Sequence, residues 1–152
     1  MLPLIGDRKP VPLVQGDFFD VQGQVSPDGR WLAYASDESG RFEVSVQPFP
    51  SGQGKLRISA NGGLEPHWRR DGKELFFLAL DRTLMAVPVT TGSTFEMDTP
   101  KPLFETRMST LWNYTRNQYA VAADGQRFLI NQPAGQPSPI TVFVDWAVAL
   151  KK

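Results

Sequence analysis

The stretch Ser26-Pro27-Asp28-Gly29-Arg30-Trp31-Leu32-Ala33-Tyr34 decides the fold, because it reads as a tight turn feeding a strand and it returns twice downstream. The later copies are Arg69-Arg70-Asp71-Gly72-Lys73-Glu74-Leu75-Phe76-Phe77 and Ala122-Ala123-Asp124-Gly125-Gln126-Arg127-Phe128-Leu129-Ile130. Asp bonds its own backbone and Gly takes positive φ without a Cβ clash, so each Asp-Gly pair closes a hairpin. Pro27 adds a fixed φ suited to the second position of a type I turn, in the first copy only. A polar residue follows each Gly (Arg30, Lys73, Gln126), and then come consecutive apolar residues. Such a run buries both faces, which predicts a strand in a sheet packed between two others.

Two further signals run in register with the turns. Lys-led segments at Lys9-Pro10-Val11-Pro12-Leu13-Val14, Lys55-Leu56-Arg57-Ile58-Ser59 and Lys101-Pro102-Leu103-Phe104 start 46 residues apart both times and read as outer strands. Pro inside two of them places them at a sheet edge, where a missing N–H costs no ladder bond. Third strands are expected at 42–47, 84–89 and 140–146. In the first, Phe42, Val44 and Val46 fall on one face and Glu43, Ser45 and Gln47 on the other, a period of two that fits a strand and not a helix. Innermost strands precede the turns at Gly23–Ser26, Glu65–Arg69 and Tyr119–Ala122.

Four strands per unit at a period in the forties is the pattern of a β-propeller blade. The fold class is therefore all-β, a propeller segment of about three four-stranded blades. The units are about 22–59, 64–105 and 117–147, plus the N-terminal strand 9–14, in a single domain spanning 1–152. A plain β-sandwich is the alternative, but its strands have no reason to recur in sets of four. Three blades cannot close a ring, so two copies are expected to pair into six. In that reading Lys9 to Val14 of one chain lies along Ile140 to Val144 of the other.

Composition bounds the function. Lys plus Arg and Asp plus Glu are both 16, so no cationic excess is available to release counterions from phosphate, and no nucleic-acid partner is expected. There is no cysteine, hence neither a disulfide framework nor a thiolate metal site. Thirteen Gly and 13 Pro suit many short strands better than long helices. Met1-Leu2-Pro3-Leu4-Ile5-Gly6 does not read as a signal peptide, and no window reaches the length of a membrane span, so a soluble chain without membrane insertion is expected.

The turn residues and the unit ending Val44-Ser45-Val46-Gln47-Pro48-Phe49-Pro50 resemble the WD40-like (PD40) repeats of TolB-type propellers. Phrases such as Gly72-Lys73-Glu74-Leu75-Phe76 and Gly125-Gln126-Arg127-Phe128-Leu129-Ile130-Asn131 extend the likeness to C-terminal propeller regions of large bacterial proteins, many of them linked to a serine/threonine kinase domain. Arg70 and Ala123 depart from the pattern where the first unit has Pro27. The kinase is not in this chain, which has neither a Gly-rich nucleotide loop nor His-Arg-Asp or Asp-Phe-Gly. The resemblance implies a non-enzymatic scaffold, a protein-interaction or ligand-sensing module of a larger signalling protein. The alternative is the accessory propeller that gates a peptidase-type hydrolase.

No catalytic motif stands beside the repeats. His67 is the only histidine, with no Gly-x-Ser-x-Gly elbow and no cysteine, and it reads as an inner-strand imidazole beside Trp68. One histidine without an acidic loop supplies too few donors for a metal, and no cofactor is expected. The segment 106–117 exceeds what a blade needs. Its Arg107, Trp112, Tyr114 and Arg116 could stack on and bond a peptide, sugar or anionic ligand, or its aromatic residues could plug the axial opening. The loop 15–22 sets Phe18 and Phe19 on the same rim, with Asp17 and Asp20 as its acidic counterpart.

Overall fold

The computed structural model describes residues 1, 5–6, 8–14, 16–108, 117–132 and 142–143. Twelve strands and no helix are found among them, β1(Asp20–Val25), β2(Trp31–Ser36), β3(Glu43–Pro48), β4(Leu56–Arg57), β5(Leu64–Trp68), β6(Glu74–Leu78), β7(Thr83–Thr91), β8(Phe95–Met97), β9(Lys101–Glu105), β10(Tyr119–Val121), β11(Phe128–Ile130) and β12(Val142–Phe143). All pairings are antiparallel, and all join strands consecutive in the chain except β7 with β9. They form three sheets, β1-β2-β3-β4, β5-β6-β7 with β8 and β9 both on β7, and β10-β11-β12. Each sheet is one blade, and β5 lies against β1 on one side and β10 on the other.

The three Asp-Gly turns are built alike. Gly29, Gly72 and Gly125 have φ of +72°, +73° and +70°. Their amides donate to the carbonyls of Ser26, Arg69 and Ala122, 2.9 Å each. The carboxylates of Asp28, Asp71 and Asp124 accept from the amides of Arg30, Lys73 and Gln126 at 3.2, 3.1 and 3.0 Å. The turn is therefore dictated locally by a residue that bonds its own backbone and one that tolerates the left-handed region.

Because side chains alternate across a strand, each blade has one face toward its predecessor and one toward its successor. Blade one meets blade two through Trp31, Ala33, Val44 and Val46 against Leu75, Phe77, Val87 and Val89. Blade two meets blade three through Phe76, Leu78, Leu84 and Ala86 against Tyr119, Phe128 and Ile130. Phe76 and Phe128 pack edge-on at 5.1 Å, both fully buried, and each contributes about 2 kcal/mol or more by leaving water.

The alternation expected at β3 holds, and three other expectations are corrected. Glu43, Ser45 and Gln47 share one face of β3, and that face is covered, each of them 3–4% exposed. The Glu43 carboxylate takes the Ser59 hydroxyl, the Gly62 amide at 2.9 Å and Arg41 Nε at 2.7 Å, so the connection to blade two closes over it. Residues 9–14 form no strand, since Pro10 and Pro12 have no N–H to give a ladder. Instead the Leu13 carbonyl accepts from Gln47 Nε2 at 3.1 Å on the outward face of its own blade one. Leu129 is 53% exposed, although the apolar run around it predicts burial on both faces. Finally, β1 begins at Asp20, earlier than expected, and β8, unforeseen, brings Phe95 to within 5.2 Å of the Trp31 ring. Of the segment 140–144, onto which a partner's 9–14 was expected to pair, only residues 142–143 are described.

Candidate functional site

Where the inner strands begin, the three blades are joined by residues at one repeat position, six before each turn Asp: Gln22, Glu65 and Gln118. Gln22 and Glu65 have φ of +57° and +53°, and each sits at a register shift in its strand pair. That bulge turns the Glu65 amide toward blade one, where Gln22 Oε1 accepts it at 2.9 Å. The step repeats at the next join. The Glu65 carboxylate accepts the Gln118 amide at 2.6 Å and Gln118 Nε2 at 2.7 Å, and the Tyr119 hydroxyl donates to the Glu65 carbonyl at 2.7 Å.

Glu65 is 1% exposed, and burial pushes its carboxyl above the usual range against the pull of the Gln118 and Tyr119 amides. The Tyr119 hydroxyl is raised well above its ordinary value, by burial first and by the Glu65 charge second. His67 lies on the face toward blade three, away from Trp68, with its ring 4.5 Å from Tyr119 and edge-on. Burial lowers the imidazole to about 4, so it is neutral at physiological pH. Its Nε2 has no hydrogen-bond partner among the described residues. Trp68 points the other way and donates Nε1 to the Gln24 carbonyl of blade one at 3.0 Å.

The residues expected at the rim fall in two places. Phe18 and Phe19 stand just before β1, 49% and 72% exposed. The Phe19 backbone is fixed from both sides by Asp37, whose carboxylate accepts the Phe19 amide at 2.9 Å while its own amide donates to the Phe19 carbonyl at 3.3 Å. Arg107 is exposed two joins away, and its amide donates to Gln132 Oε1 at 3.0 Å. Trp112, Tyr114 and Arg116 lie outside the described residues. The turn residues Asp28, Gly29, Asp71, Gly72, Asp124 and Gly125 are structural, as their shared geometry shows.

The Gln22–Glu65–Gln118 relay was not singled out from the sequence, although a polar residue at that position in every copy is a signal of it. Two shallow clefts lie apart from it on blade one's outward face, about 350 and 230 Å³, lined by side chains such as Ser36, Glu38, Ser45, Gln47 and Lys55. No group of three or more acidic or histidine side chains placed to hold a metal occurs among the described residues, and no helix there is long and apolar enough to cross a membrane.

Consecutive antiparallel blades of four, five and, among the described residues, three strands, stacked face to face, define a β-propeller segment. Comparison with solved structures places it among TolB-type propellers in fold. TolB from Acinetobacter baumannii superposes with a TM-score of 0.57 at 20% identity, over 82% of this chain and 30% of TolB. An oligogalacturonate lyase from Vibrio parahaemolyticus gives a TM-score of 0.54 at 15% identity, over 82% of this chain and 34% of the lyase. The chain thus spans about a third of the length of each. No protein-family model and no curated protein matches the sequence.

Proposed function

We propose that this propeller segment is a non-enzymatic scaffold, a module of a larger signalling protein that meets a protein or peptide partner at the rim where β1 begins. One observation carries the reading: the Phe19 backbone is held by two bonds to Asp37, one to its carboxylate and one from its amide, while the Phe19 ring stands 72% exposed. An aromatic side chain displayed on a fixed backbone loses little entropy on binding and is the usual anchor of a protein interface. Asp17 and Asp20 beside it suit a partner segment that carries both apolar and basic residues. The inner-rim polar groups support the scaffold reading in another way, since Glu65 and Tyr119 are engaged in holding one blade to the next.

The test is a photo-crosslinking residue placed at Phe19 in producing cells, with the same residue at exposed Gln53 as the control. The reading expects one adduct formed from position 19 and lost with Asp17→Lys. Equal labelling from both positions contradicts it, and an adduct with a hydrolase domain favours the gating role instead.

A further inference from the structure

Two exposed side chains stand at positions that are covered elsewhere in the same chain. Leu129 occupies, in the third repeat, the position of Ala33 in the first and Phe76 in the second. Ala33 and Phe76 are both 0% exposed because the following blade lies on them, whereas Leu129 is 53% exposed. Val25 occupies, in the first repeat, the position of Trp68 and Val121. Those two pack against the preceding blade, in the clusters that hold Ala33 and Phe76 respectively, whereas Val25 is 45% exposed. Leu32 and Tyr34, next to Val25 on that face, likewise match Leu75 and Phe77, and Phe128 and Ile130. Val25 and Leu129 therefore mark the two halves of a contact that the chain already makes twice, although on the Val25 face Leu32 and Tyr34 are covered, at 6% and 3% exposure.

We propose that these halves meet between two copies of the chain, with Val25 of one copy seated against Leu129 of the other. Among its described residues each copy offers one face of each kind, so two copies form two equivalent contacts and a closed set of six blades. Ala120, opposite Leu129 in the β10–β11 pair and exposed, widens the receiving face without a charge. On the other face Leu13 and Val14 rest near Tyr34 and Gln47 and leave Val25 open, so a docked blade displaces this short segment. This face adjoins the Phe19 rim, since Phe18 and Asp20 line one cleft with Leu13, Val14 and Tyr34, but the pairing does not depend on the role given to that rim.

Light scattering after size exclusion of the full chain tests the pairing. The expected mass is twice the 17.0 kDa of the chain. Leu129→Glu and Val25→Arg, both at exposed positions, are each expected to return a folded single chain, checked by circular dichroism. An equimolar mixture of the two is expected to recover the double mass, because one contact then pairs Glu with Arg and the other is unchanged. Should Leu129→Glu fail to fold, Ala120→Glu reads the same face. A wild-type chain that stays single, a further blade of a longer polypeptide on the Leu129 face, masses beyond two chains, or a mixture that stays single would each overturn the proposal.

Discussion

The Glu65 carboxylate grips Gln118 twice, through the backbone amide at 2.6 Å and the side-chain amide at 2.7 Å, while Glu65 is itself 1% exposed. Charge-assisted bonds in a dry site are strong, and a donor that loses its acceptor there is costly. The blades are thus held at two levels, by apolar faces that any blade could share and by a polar clasp that fixes which strand ends meet.

A second buried carboxylate plays the same part within blade one. Glu43→Ala leaves the Gly62 amide and the Ser59 hydroxyl without their acceptor, and is expected to cost about 3 kcal/mol in urea unfolding. Glu38→Ala, at an exposed ion pair with Lys55, is expected to stay within about 0.5 kcal/mol of the parent. Equal losses for the two would remove the clasp role of Glu43.

Acid stability reads the burial of His67. Its imidazole is lowered from 6.5 to about 4 in the fold, so the unfolded chain binds its proton first as pH drops. Its contribution is full above the unfolded value and is lost as pH falls through this window, by about 3 kcal/mol in total. His67→Leu is expected to flatten that part of the stability curve, which denaturant titrations across the window measure. An unchanged slope would place the imidazole in water.

The turns differ in what lies over the glycine. A Cβ at Gly29 would meet nothing within 4 Å, so Gly29→Ala carries only the strain of positive φ, about 1 kcal/mol. At Gly125 it would overlap the Arg69 side chain, which is pinned by Asp71 at 2.6 Å and Glu74 at 2.6 Å. Gly125→Ala is therefore expected to lower the melting temperature more than Gly29→Ala, and Arg30→Ala to change it little. The reverse order would contradict the stacking of Arg69 on the third turn.

Much of the fold was legible because Asp-Gly chemistry is local. The same dipeptide, with its carboxylate on the amide two residues on, produces the same turn wherever it stands. Alternation showed the two faces of β3 but not their surroundings, since a polar side chain in sequence looks the same whether it faces water or, like Glu43, a connection folded over it. The Lys-led likeness of Lys9–Val14 to two true outer strands, with its prolines taken as a mark of a sheet edge, did not hold, since Pro10 and Pro12 together withhold the donors a ladder needs. The Gln22–Glu65–Gln118 relay was in plain view as a repeated polar position. Its meaning required the bulges at Gln22 and Glu65, which turn a backbone amide toward the neighbouring blade. Phe18 and Phe19 stand exposed just before β1, and no local pattern says that Asp37 fixes the backbone of one of them.

The join between blades two and three is tested most directly by a double-mutant cycle on Glu65 and Gln118, read by urea unfolding. With the side chains bonded as described, Gln118→Ala costs stability in the parent and little in the Glu65→Ala background, giving a coupling of about 1.5 kcal/mol or more. Losses that add to within about 0.3 kcal/mol would mean that the two residues do not meet, and would contradict the packing of consecutive blades described above.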